Sequence, residues 1–159
     1  MSAISTLLFI AFLIFAPRGF RWFSQATRNN WIAQNKEAEA FASELARQTH
    51  GTAASSIATG KIQQYDIRVI AIPVEVKLFS WEHALDGKRI NFEFLLKEDK
   101  LIRLSLESRL DQFSTLGFDR STLDKDRLTA TKYVSKFDVT EALDLLRRTA
   151  THLDKISFS

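Results

Sequence analysis

The chain of 159 residues has room for one domain of ordinary size plus an appendage. Hydrophobic residues at 45% and charged residues at 26% exclude a largely disordered chain, and the absence of Cys excludes disulfides, thiolate chemistry and Cys-ligated zinc. The net charge of +3 comes from 22 Lys and Arg scattered among 19 Asp and Glu, so there is no concentrated basic footprint of the kind nucleic acid needs.

The first segment is the most distinctive. From Met1 to Pro17 no side chain is charged, and residues 7–16 are wholly apolar: Leu7, Leu8, Phe9, Ile10, Phe12, Leu13, Ile14 and Phe15 with alanines between and after. As a helix, residues 3–16 extend about 21 Å, short of the roughly 30 Å hydrocarbon core of a bilayer. Residues 17–23 supply the missing length, with Arg18 and Arg21 snorkelling to the headgroups and Phe20, Trp22 and Phe23 at the interface. A cleaved signal peptide wants its positive charge before the apolar run and small residues at the cut. Here the basic residues follow the run, and Ile14 and Pro17 flank the best cut after Ala16. A helix apolar on every side is also ill suited to a small soluble domain. Residues 1–23 are therefore expected to be a retained single-pass membrane anchor. The positive-inside tendency puts the N-terminus outside and the remainder on the cytoplasmic side.

Residues 28–50 read as a juxtamembrane amphipathic helix, with Asn30 able to cap its start and Gly51 to stop it. Trp31, Ala38, Phe41, Ala42 and Leu45 share one face. That stripe packs on the domain that follows, or else receives a partner helix or lies along the membrane surface, the last disfavoured by three Glu on the polar face; Trp31, Ala38, Phe41 and Leu45 are the candidate partner-binding face. The small residues of 51–60 show no periodicity and read as a linker. Gly60-Lys61 within them is no phosphate loop, because Ser55 and Ile62 stand where that loop needs Gly and a hydroxyl.

Residues 61–159 are expected to form a small α+β domain: an antiparallel sheet of four to five strands covered by a C-terminal helix. In residues 67–79, Ile70, Ile72, Val74, Val76 and Leu78 alternate, whereas Ile67 and Val69 hold the opposite phase, suggesting a bulge or a strand break near residue 70. Pro73 points to an edge strand or to a strand beginning there. Asp86-Gly87 is a turn signal, and Ile90, Phe92, Phe94 and Leu96 alternate after it. Ile102, Leu104 and Leu106 follow in phase and predict a hairpin with 90–96. A short helix from about Glu107, a loop, and a strand over 129–137 come next. The final stretch carries Asp138 and Glu141 at capping-box spacing, with Val139, Ala142, Leu146, Leu153 and Ile156 on one apolar face.

No catalytic constellation emerges. His50, His83 and His152 lie far apart, without metal-pair spacing. Asp124 and Asp126 alternate with Lys125 and Arg127 as a solvated charge run, and Thr129 and Ser135 occupy the positions where a calcium loop needs Gly and Glu. Lys88 and Arg89 lie near Phe92 and Phe94, but inward alternation explains those rings better than base stacking does. The expectation is a non-enzymatic, membrane-anchored accessory or assembly subunit of a larger membrane protein complex. Its partners would be other membrane-protein subunits and the lipid bilayer, without cofactor, metal or nucleic acid. The alternative is a single-span protein whose domain binds a small molecule or lipid.

Overall fold

The computed structural model of the chain describes residues 28–29, 31–73, 88–97 and 112–157. The expected anchor (1–23), Val74 to Leu78, His83, the Asp86-Gly87 turn, Ile102 to Leu106 and the helix start near Glu107 lie outside the described residues. The chain divides into two compact units, Met1–Gln34 and Asn35–Ser159. In the smaller, residues 28–29 and 31–34 are helical, and Trp31 (60%) and Ile32 (38%) are exposed.

The larger unit is an α+β domain. Six strands, β1 (Thr52–Ala54), β2 (Ile57–Ile62), β3 (Tyr65–Ile72), β4 (Lys88–Leu95), β5 (Arg120–Asp124) and β6 (Arg127–Val134), form one antiparallel sheet in the order β1-β2-β3-β4-β6-β5. Helix α1 (31–48, of which 35–48 belong to this unit), the short α2 (Gln112–Thr115) and α3 (Val139–Ser157) complete the described elements. The four to five expected strands are thus six.

One face of the sheet carries the core. Ala58 and Ile62 of β2, Tyr65, Ile67, Val69 and Ala71 of β3, Ile90, Phe92 and Phe94 of β4, and Leu128 and Ala130 of β6 are buried there. They join Ala38, Phe41, Ala42 and Leu45 of α1 and Ala142, Leu146, Ala150 and Leu153 of α3 in a single cluster. Aromatic pairs bind the layers: Phe41 on Phe137 at 5.4 Å between ring centroids, and Phe92 on Phe118 at 5.5 Å, edge to face. Each long helix also buries a threonine whose hydroxyl donates to the carbonyl four residues back, Thr49 to Leu45 (3.0 Å) and Thr149 to Leu145 (2.8 Å). No buried hydroxyl is left unsatisfied at either place.

The helix ends follow their caps. Asp138 Oδ1 accepts from the backbone N–H of Thr140 (2.9 Å) and Glu141 (3.2 Å), opening α3 as its sequence predicts. At the end of α1, Gly51 N–H donates to Ala46 O (2.9 Å), but the residue in the left-handed conformation is His50, with φ at 52°. The stop is a Schellman turn displaced one residue from the expected glycine.

Four expectations are corrected. Residues 51–60 are no linker: they build β1 and most of β2 inside the domain, which accordingly starts upstream of residue 61. Their small residues are needed where α1 comes close, since a Cβ on Gly60 would lie 2.2 Å from Thr49 Oγ1. The strand at 67 has no bulge; β3 keeps regular register with β2 and β4, and its buried phase is Tyr65, Ile67, Val69 and Ala71. Both faces of IRVIAI are apolar, so alternation could not tell inside from outside. Pro73 follows the last residue of a central strand and marks no edge. Finally, both edges of β4 are taken, by β3 and by β6, which leaves no free edge on 88–95 for the hairpin expected with 102–106.

Candidate functional site

The helices occupy one face of the sheet, so the chemistry worth reading is on the other. Strand alternation places residues 57, 59 and 61, 66 to 72 (even), 89 to 95 (odd), 127 to 133 (odd) and 120 to 124 (even) on this outer face. Among the described residues no helix covers it. Registered rows cross it from strand to strand: Ile57, Ile70, Asn91, Thr131 and Arg120 form one, and Ile72, Arg89 and Tyr133 the next.

Its charges fall into two groups. At one end Glu93 Oε2 stands 3.5 Å from Nη1 of both Arg68 and Arg127, and Lys61 Nζ is 3.5 Å from Asp66 Oδ1. A shallow depression of about 150 Å³ lies over Arg68, Glu93, Leu95 and Arg127, and a neighbouring one of about 270 Å³ over Tyr65, Leu95 and Lys97. At the other end Arg89 is half-buried between Ile72 and Tyr133, and its Nε is out of water with no hydrogen-bond partner. Tyr133 is 46% exposed. Thr131 Oγ1 donates to Asn91 Oδ1 at 3.1 Å, closing the polar pair between them. Guanidiniums, a phenol and aliphatic side chains on an open surface can recognise carboxylates and apolar groups, the composition found at the centres of protein interfaces.

The candidate residues read from sequence are scattered by comparison. The anchor set Leu7 to Phe15 and the interfacial set Arg18, Phe20, Arg21, Trp22 and Phe23 lie outside the described residues. Of the helix face, Ala38, Phe41 and Leu45 are in the core at 0%, 4% and 0% exposure, so the domain itself covers them; Trp31 is the exposed member. Lys88 turns the other way from Arg89. Its ammonium bridges Glu37 of α1 at 2.7 and 2.8 Å and lies 5.5 Å from the Phe137 ring centroid. Phe92 and Phe94 are fully buried core residues.

Two carboxylates are shifted by contacts within their own helices. Glu44 is held down to about 2 by the hydrogen bond from Arg47 and then that from Gln48, on an exposed helix face. Asp138 is lowered chiefly by the backbone N–H of Glu141 in its capping role, with Thr140 N–H and Lys136 adding to it. His152 stands edge-on to Phe113, ring centroids 5.5 Å apart, and His50 serves the α1 turn. Asp124 and Asp126 flank Lys125 at the exposed β5–β6 turn, and Gly60-Lys61 lies in β2. Among the described residues no group of three or more His, Cys, Asp or Glu is placed to hold a metal ion.

Sequence reasoning passed over Arg89, Tyr133 and Arg120 as a group, because their proximity depends on the β4-β6-β5 order. The one legible signal was the odd phase of Arg89 and Asn91 against the buried even phase of 90 to 96. Among the described residues no helix is long and apolar enough to cross a membrane. Compared with known proteins, the chain matches no family model, no curated protein and no solved structure.

Proposed function

We propose that the chain is a membrane-anchored, non-catalytic accessory or assembly subunit whose α+β domain is an interaction module on the cytoplasmic side. The observation that carries this reading is the one-sided construction of the domain. Among the described residues the helices and the apolar cluster lie on one face of the sheet, and the opposite face carries Arg89, Arg120, Tyr133 and Leu95. Tyr and Arg dominate the energetics of protein interfaces. The membrane part of the reading rests on the apolar run of residues 7–16 followed by Arg18, Arg21 and Trp22. A span this short is tolerated where neighbouring helices or local bilayer thinning accommodate it.

For the small-molecule alternative, two depressions among the described residues measure about 150 and 270 Å³, below the roughly 300 Å³ where ligand pockets begin. The deciding experiment is extraction of native membranes in mild detergent, followed by mass determination. Co-migration with other integral membrane proteins, far above 18.2 kDa plus the micelle, is the expected result. A chain recovered in the aqueous fraction, or a clean monomer without partners, would overturn the proposal.

A further inference from the structure

From the geometry we infer that the outer sheet face around Tyr133 docks an acidic segment of a partner protein, one of whose carboxylates pairs with Arg89 and another with Arg120. This rests on the interaction-module reading and names the surface and the partner's chemistry.

Three observations converge. Arg89 Nε is buried and makes no hydrogen bond, although a charged donor removed from water is among the costliest groups to leave unpaired. Nε itself is closed to solvent, so a partner carboxylate pairs with the terminal nitrogens of the half-buried guanidinium and neutralises the group as a whole. Next, the face carries Lys61, Arg68, Arg89, Arg120 and Arg127 against Asp66, Glu93 and Asp124, five cations to three anions. Lys61 takes Asp66, and Arg68 and Arg127 share Glu93, so these cations are already engaged. Among the described residues neither Arg89 nor Arg120 has an ion pair. Asp119, the carboxylate beside this end of β6, accepts the Tyr133 backbone N–H at 2.7 Å instead.

The positions of the two arginines also fit one ligand. Arg89 is directly opposite Tyr133, and Arg120 is opposite Thr131, the next outward residue of β6. Two strand spacings across and two residues along put their Cα atoms about 12 Å apart, with Tyr133 between. Carboxylates about two helical turns apart, or four residues apart on a strand, span that distance. The exposed Tyr133 ring and the half-buried Ile72 then provide the apolar contact that desolvates the charge pairs. An anionic lipid surface offers the same sign of charge, but it has no group suited to the Tyr133–Ile72 apolar contact once the headgroups face the guanidiniums.

The test uses the full chain in phosphatidylcholine nanodiscs and a fluorescent oligoglutamate peptide containing one Leu, with binding read by anisotropy. Arg89→Gln and Arg120→Gln are each expected to weaken binding about tenfold with an unchanged melting temperature. Arg147→Gln removes the same charge from exposed α3 and is expected to leave binding intact. Equal weakening by all three variants, or no binding by the wild type, would overturn the inference. So would flotation with vesicles of equimolar phosphatidylcholine and phosphatidylserine that depends on Arg89 while the peptide fails to bind, since that result assigns the face to lipid. The two readings fail separately. A monomer from native membranes with peptide binding intact removes the subunit reading alone, whereas a stable complex indifferent to Arg89→Gln and Arg120→Gln removes this one alone.

Discussion

Gly60→Ala separates a strand held against a helix from a free linker, because only the first gives the change a cost. In the structure the added Cβ meets Thr49 at three atoms: Oγ1 at 2.2 Å, Cβ at 2.7 Å and the backbone O at 2.9 Å. Rotating the Thr49 side chain relieves only the first. Thr49 is 2% exposed at the end of α1, its hydroxyl donates to Leu45 O, and its carbonyl accepts from Lys61 N–H at 3.2 Å. Relief therefore requires α1 and β2 to part, straining those hydrogen bonds and the packing of Ala46 and Ala58 nearby. Overpacking alone costs roughly 1–3 kcal/mol, and weakening one or two hydrogen bonds brings the expected loss to about 2–3 kcal/mol. For a unit of this size that lowers the melting temperature by about 6–15 °C. Circular dichroism of the full chain in mild detergent reads it directly. In a flexible linker, mobile in the folded and unfolded chain alike, the same change leaves stability within about 0.5 kcal/mol. A melting temperature unchanged or raised by Gly60→Ala would refute the α1–β2 contact. Thr49→Gly, which removes the clashing side chain, is expected to recover part of the loss.

The Glu37–Lys88 bridge yields a double-mutant cycle: Glu37→Gln should cost about 1–2 kcal/mol, held below the fully buried range because Glu37 is 41% exposed while Lys88 is 17% exposed. Adding Lys88→Met should restore part of it, with a coupling near 1 kcal/mol by thermal unfolding; additivity would deny the bridge a role. His50→Gly should stabilise by about 0.5–1 kcal/mol, since only the turn conformation at φ 52° penalises the side chain there. For Asp138 the folded carboxyl titrates below its ordinary value, so folding favours the ionised form. Its contribution is whole at neutral pH and is lost as the pH falls below about 4 toward the folded value. Asp138→Asn keeps a capping side chain but should flatten that part of the melting-temperature profile; an unchanged acid limb would contradict the cap's ionic character.

What was legible in the sequence depended on whether a pattern had one reading. Ile90, Phe92, Phe94 and Leu96 alternate cleanly between polar neighbours, and all four are buried. The α3 stripe and its Asp138 cap were equally unambiguous. The misses share a cause in turn chemistry. The β1–β2, β2–β3 and β5–β6 hairpins turn at Ser55-Ser56, Gln63-Gln64 and Lys125-Asp126, where the first residue has φ of 51°, 55° and 49° without being glycine. Tight hairpins prefer Gly and Asn at such positions, so these turns gave no glycine signal. With the turns went β1, β5 and the start of the domain. The outer-face arginines were illegible for another reason: Arg89 and Arg120 stand 31 positions apart in sequence, and only the placement of β6 between β4 and β5 brings them together.

Strand number also decides what the α1 stripe is for. With four or five strands, a single helix beside α2 leaves little of the inner face open, and a second amphipathic stripe is free to receive a partner. Six strands at about 4.8 Å spacing make a sheet about 24 Å wide, whereas one helix with its side chains is about 10 Å across. α3 alone cannot dry that face. Ala38, Phe41, Ala42 and Leu45 join the same buried cluster as the inner side chains of β2 to β4, while α3 takes the β2–β3 end, where Tyr65 Oη donates to Asp154 Oδ1 at 2.7 Å. The alanines at 38, 42 and 46 let α1 lie close, and the same closeness demands glycine at position 60 opposite Thr49. The stripe, the two lost strands and the misread linker are thus one error seen at three places. Among the described residues the α1 stripe then belongs to the core, and the outer face, with Arg89, Tyr133 and Arg120 upon it, is where the proposed recognition is to be tested.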